Sequence, residues 1–178
     1  IFDGTVEIKA VAREAGSRTK IAVVSHNPDV DAVGACIGTR GARVTDIVNE
    51  LGGEKMDIVD YSDEPEKFIA SALAPATVLS VEPAADGSHT CKVTVPDSQL
   101  SLAIGNKGQN VRLAARLTGW KIDIGPESQA EQIMEEYEQR KQEVQQQIDQ
   151  AVDDLFDDED GEELIQQEQP EEMAEGAE

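Results

Sequence analysis

Apolar residues alternate with polar ones between Thr5 and Glu14, at Val6, Ile8, Ala10 and Ala12. A period of two predicts a strand with one buried face. Ala15-Gly16-Ser17 reads as a three-residue turn, and Arg18–Ser25 returns as a second strand carrying Ile21, Val23 and Val24, so the chain opens on a predicted hairpin. The period then changes. Asp31 stands where it would cap a short helix, Ala32–Ile37. Val44, Ile47, Val48 and Leu51 fall at i, i+3, i+4 and i+7, one face of a helix that Gly52-Gly53 stops. Met56–Tyr61 closes this series as a strand.

A second series follows. Asp63 and Glu66 predict a capping box for helix Pro65–Leu73, whose inner face is Phe68, Ile69, Ala72 and Leu73. Val78–Val81 and Thr90–Val95 predict a hairpin around Asp86-Gly87. Helices Leu100–Ile104 and Gln109–Thr118 come next, then strand Trp120–Ile124. Ser62–Pro65 is too short for a flexible linker, so the two series should sit at a fixed angle. From Ser128, which with Glu131 predicts another capping box, Met134, Tyr137, Val144, Ile148, Ala151 and Leu155 form one helical stripe, with Lys141 between Tyr137 and Val144. The other faces are Glu and Gln. Residues 157–178 are acidic and Gln-rich with little to bury, which predicts disorder.

The two series are copies. Ile37-Gly38-Thr39-Arg40-Gly41 recurs as Ile104-Gly105-Asn106-Lys107-Gly108, with Val44 and Val111 at the same offset. Gly53–Ile58 lines up with Gly119–Ile124 once one extra residue is allowed in the first copy, and Pro28-Asp29 and Pro96-Asp97 each mark a strand exit. One Gly-x-x-Gly is weak evidence. Two in matching contexts make an internal repeat. Such a loop suits a polyanion: glycines turn the backbone sharply and leave no Cβ in the way of a close approach. Each loop feeds a helix start, where N–H groups and the dipole favour phosphate. Arg40 and Lys107 add one cation per loop.

The formal charge of −22 argues against nucleic acid until it is split along the chain. Residues 1–126 carry 13 Lys+Arg against 17 Asp+Glu, whereas residues 127–178 carry 2 against 20. The acid lies mostly in the tail. The loops are locally basic, with Arg40 and Arg43 at the first and Lys107, Arg112 and Arg116 at the second. A tail of net −18 on a short tether would compete weakly with a bound polyanion for those loops, or would only aid solubility.

Little else in the chain suggests chemistry. Cys36 and Cys91 have no partner at metal-ligand spacing and read as reduced, buried thiols of a cytoplasmic protein. His26 and His89 stand alone, and Asp29, Asp31, Asp97 and Asp123 read as caps and exposed strand residues rather than an acid–base pair. No catalytic residue, metal or cofactor is expected. An EF-hand register on Gly161 would put Phe156 at position one and Gln167 at twelve, so calcium is not expected. Trp120 reads as core rather than a stacking platform. There is no initiator Met, no membrane-length apolar run and no signal-peptide pattern, so the chain reads as a piece of a longer protein.

The order α-β-β-α-α-β, with the glycine loop between the second and third helices, resembles a type II KH domain. The fold class expected is therefore α+β: two tandem KH domains over 1–61 and 62–126, then an amphipathic acidic helix over 127–156 and the tail. The first copy lacks its leading helix, with Ile1-Phe2 as the remnant, and should leave Val6, Ile8 and Ile21 short of apolar cover. Gly34–Val44, Ala103–Ala114, Asp3–Ile8 and Pro65–Ala74 are similar to the NusA family of bacterial transcription elongation factors. The resemblance covers residues 1–126. It implies an upstream polymerase-binding domain, an OB-fold domain and the missing helix. It also implies binding of nascent single-stranded RNA and a role in pausing, termination and antitermination with RNA polymerase and other transcription factors. The RNA-binding residues it points to are Gly38, Thr39, Arg40, Gly41, Arg43, Gly105, Asn106, Lys107, Gly108, Arg112 and Arg116, in a monomer without membrane contact. Two other classes use such units: the RNA-binding portion of an RNA-processing enzyme or ribosome-associated GTPase, and a protein-interaction module with degenerate copies. The tandem spacing argues against the first and the intact loops against the second.

Overall fold

A computed structural model describes residues 1–157. The disorder expected of the tail lies outside the described residues except at Asp157, which ends the last helix. The calcium register around Gly161 lies outside them too.

Two three-stranded sheets carry the fold. β1 (Val6–Glu14) pairs antiparallel with β2 (Arg18–Ser25), which pairs parallel with β3 (Lys55–Asp60). Between β2 and β3 run α1 (Ala32–Ile37) and α2 (Ala42–Glu50). After α3 (Pro65–Ala72) the pattern repeats as β4 (Ser80–Pro83), β5 (Thr90–Val95), α4 (Leu100–Ile104), α5 (Gln109–Thr118) and β6 (Lys121–Pro126). The second sheet has the same antiparallel and parallel pairings in the order β4-β5-β6. Mixed pairing of this kind requires a crossover between the parallel strands, and the two short helices supply it.

The alternation in β1 does not place its four apolar residues on one face. The register shifts between Ile8 and Ala10, a bulge at Lys9. Val6 therefore packs with Val23 and Ala32 on one side of the sheet, while Ala12 joins the core on the other. That second core is continuous across both repeats: Ala12, Ala22 and Val59 cluster with Phe68, Ile69, Leu73, Val93 and Leu113. Polar contacts cross the same boundary. Lys20, fully buried, donates from Nζ to Asp57 at 3.0 Å and to the Ala74 carbonyl at 2.6 Å. Burial pushes its ammonium pKa down, against the pull of Asp57.

α3 is the leading helix of the second repeat. Val93 lies opposite Ile124 as Ile21 lies opposite Ile58, and Val93 is buried in the cluster with Ile69 and Leu73. On the first sheet the corresponding place is an apolar cavity of about 530 Å³, lined among others by Ile8, Ile21, Met56 and Ile58. Ile8 and Val11 are 41% and 55% exposed, but Val6, expected to lack cover, is buried beside α1. Ile1-Phe2 forms a turn closed by Gly4 N–H on the Ile1 carbonyl, not a helical remnant.

Neither capping box forms. Glu64, not Asp63, is the cap residue of α3, and Asp63 instead accepts from the Tyr61 hydroxyl at 2.9 Å. α6 (Glu127–Asp157) begins one residue before Ser128, whose N–H is taken by the Asp97 carboxylate at 3.1 Å. Asp31 holds the cap position of α1 without a side-chain cap bond. Residues Ile1–Ile133 form one compact unit, and the chain from Met134 forms another. In that second unit Met134, Tyr137, Val144, Ile148 and Val152 are exposed along α6. No described helix is long and apolar enough to cross a membrane.

Candidate nucleic-acid interface

The two glycine loops have one conformation. Gly38, Arg40 and Gly41 lie at φ/ψ 77/174, 52/29 and 76/12, and Gly105, Lys107 and Gly108 at 79/173, 52/32 and 73/18. Each loop is closed by the N–H of its second glycine on the carbonyl of its first, at 3.1 Å in both. The second glycine of each is the residue before a helix of nine or ten residues. Each loop therefore leads directly into a helix start, where anions are favoured.

Arg40 and Lys107 hold left-handed backbone, which non-glycine residues adopt at an energetic cost and which clusters at functional sites. That conformation puts a cation at the apex of each loop. Thr39, Arg40, Asn106 and Lys107 are all exposed. Arg40 and Lys107 enter none of the ion pairs among the described residues.

The basic residues behind the loops are placed differently. Arg43 is exposed but its guanidinium folds back onto the Ala35 carbonyl, tying α2 to α1. Asn110 holds the matching position in the second copy; it is buried, and its amide donates to Ala103 at 2.9 Å and Leu73 at 3.0 Å. Arg112 is bound on three sides. Its Nε and Nη2 meet Glu14 at 2.6 and 3.2 Å, and its Nη1 donates to the Lys107 carbonyl at 3.0 Å. Arg116 lies 3.7 Å from the same carboxylate. Gln109 donates to Glu14 at 2.9 Å and to the Ser17 hydroxyl at 2.6 Å. Arg112 foremost, with Gln109, holds the Glu14 carboxyl at about 2, far below the usual carboxylate range.

The structure thus brings the eleven expected residues into two clusters of unequal wiring. Glu14, Gln109 and Asn110 belong to the second cluster and were not singled out from sequence. Glu14 and Arg112 are 98 positions apart, so no spacing rule could have joined them. Cys91 is buried as expected, whereas Cys36 is only half-buried. Trp120 packs against the core and also stacks on His89, with centroids 4.9 Å apart. Among the described residues no cluster of acids, His and Cys could hold a metal.

A β-β-α-α-β unit followed by an α-β-β-α-α-β unit, each presenting a Gly-x-x-Gly loop at a helix start, defines a tandem KH protein. Residues 1–61 match the family described as NusA-like first KH domain, and residues 65–132 match the NusA-like second KH domain. The chain belongs to the NusA family. It is 59% identical over 133 residues to the transcription termination/antitermination protein NusA of Bacillus subtilis, covering 75% of this chain and 36% of that protein. The protein of the same name from Halalkalibacterium halodurans is 59% identical over 133 residues, covering 75% and 35%. That from Mycobacterium tuberculosis is 60% identical over 124 residues, covering 70% and 36%. The chain spans about a third of the length of these curated relatives.

Proposed function

We propose that this chain binds single-stranded RNA through two backbone clamps, as the KH region of a transcription elongation factor. The observation that carries the reading is the pair of loops with matching backbone angles, each with an exposed cation at a left-handed apex. A loop of this geometry grips about four nucleotides by their phosphates. The backbone contact is indifferent to sequence, and bases would lie over the adjoining helix and edge strand. With the Trp120 ring taken by His89, stacking of bases on aromatics has little part. The reading is binding rather than catalysis.

In the whole protein this region would hold nascent RNA while other parts engage RNA polymerase and further transcription factors, modulating pausing, termination and antitermination. The relatives' names support that role. Fluorescence anisotropy with labelled single-stranded and duplex RNA tests the binding. Single strands should bind and duplex should not, and log K should fall linearly with log salt by about 0.7 per phosphate contacted. Equal affinity for both forms would overturn the proposal.

A further inference from the structure

Arg112 has the residue type of a phosphate ligand and the geometry of something else. Each of its three guanidinium nitrogens makes a bond within the protein: two to the Glu14 carboxylate and one to the carbonyl of Lys107, the apex of the second loop. Glu14 ends β1 of the first repeat, so the apex of the second loop is tied through one guanidinium to the first repeat. The first loop has no such tie, because Thr45 stands where Arg112 stands in the second. We infer that Glu14 and Arg112 are positioning residues that hold the second loop ready for RNA without touching it.

The physical basis is preorganisation. A non-glycine residue at positive φ is a strained conformation that neighbours must enforce. A charge-assisted bond to the Lys107 carbonyl fixes the apex peptide. A bidentate carboxylate keeps the guanidinium plane in place to make that bond. Ordering the loop before RNA arrives removes that ordering from the cost of binding. The inference rests on the RNA-binding reading above, and it makes the two loops unequal: both hold the same conformation, but only the second has its apex carbonyl fixed by a side-chain bond.

The competing account has Arg112 and Arg116 as phosphate ligands that Glu14 merely neutralises. Salt dependence separates the two, because a lost phosphate contact lowers the slope of log K against log salt by about 0.7, while a lost positioning bond leaves it unchanged. Glu14→Gln and Arg112→Gln, made in the full chain, should each weaken single-stranded RNA binding about fivefold with the wild-type slope. The double variant should lose no more than either single one, since both break one linkage. Amide resonances of Asn106–Gly108 should broaden or shift in each variant while those of Thr39–Gly41 stay put. The inference is overturned if Glu14→Gln tightens binding, if Arg112→Gln flattens the slope, or if the losses add. It is also overturned if the second loop's amides do not move. Arg112 is exposed, so its variant folds even where Glu14→Gln proves unstable. Should the unaltered chain fail to bind RNA at all, the RNA reading itself fails; the amide readout, which needs no RNA, still tests the linkage.

Discussion

Gly38 and Gly105 occupy the same place in their loops but face different obstacles. A Cβ on Gly105 would lie 2.7 Å from the backbone nitrogen of Asn110, whereas one on Gly38 would lie 2.8 Å from the Arg43 Cγ, which a change of rotamer can move, and 3.1 Å from its Cβ. Backbone cannot swing aside. Gly105→Ala should therefore destabilise by about 2–4 kcal/mol, and Gly38→Ala by about half as much, in urea unfolding. Equal losses would mean that strain at positive φ, common to both, decides the matter. A second residue-scale test concerns acid. Glu54 is buried and accepts from Arg13 at 2.7 Å, the Gly16 N–H at 2.9 Å and the Thr19 hydroxyl, which hold its carboxyl at about 2 rather than 4.5. A depressed pKa contributes stability that is complete above 4.5 and lost as pH falls toward 2. Thermal melts should thus lose midpoint steeply below pH 4.5, and Glu54→Gln should be less stable at neutral pH but flatter through that window. A variant as acid-sensitive as the parent would assign the loss to other carboxylates.

α3 was legible as a helix from its spacing, but its double duty was not. A single chain of contacts places Phe68, Ile69, Ala72 and Leu73 in one cluster with residues of both sheets, and Tyr61 of the first repeat meets Phe68 edge-on at 5.0 Å. Ile69→Ala should cost about 2–5 kcal/mol and lower hydrogen-exchange protection in β2 and β5 together. Loss confined to β5 would show that the repeats unfold separately. The strands and helices themselves could be read because period, glycine stops and the repeat are local signals. The bulge at Lys9 could not, since period two is blind to a single added residue. Lys20 sits in a strand as any exposed lysine would, yet it is buried because Asp57 and the Ala74 carbonyl arrive from elsewhere. The capping box at Ser128 failed for the same reason: Asp97, 31 positions away, accepts the Ser128 N–H that Glu131 was expected to take. The loop glycines were legible; the linkage behind the second loop was not.

At the scale of the molecule, charge is distributed against function. Residues 127–178 carry 2 basic and 20 acidic residues in the same chain as two loops that we propose hold phosphate. Deleting residues 134–178 leaves the compact unit whole and removes most of that charge. If the acidic segment competes with RNA, nonspecific affinity should rise several-fold at low salt, and the rise should vanish as salt screens it. Unchanged low-salt affinity would make the segment a solubility device. The central claim, that the two loops are the RNA contact, is tested most directly at their exposed apices. Thr39-Arg40 and Asn106-Lys107 should be replaced together by Asp-Asp, which sets carboxylates against the phosphates. These side chains are exposed, so stability should change little and a thermal melt should report the fold intact. Single-stranded RNA binding should then be lost. A folded variant that still binds RNA with the parent's affinity would contradict the account.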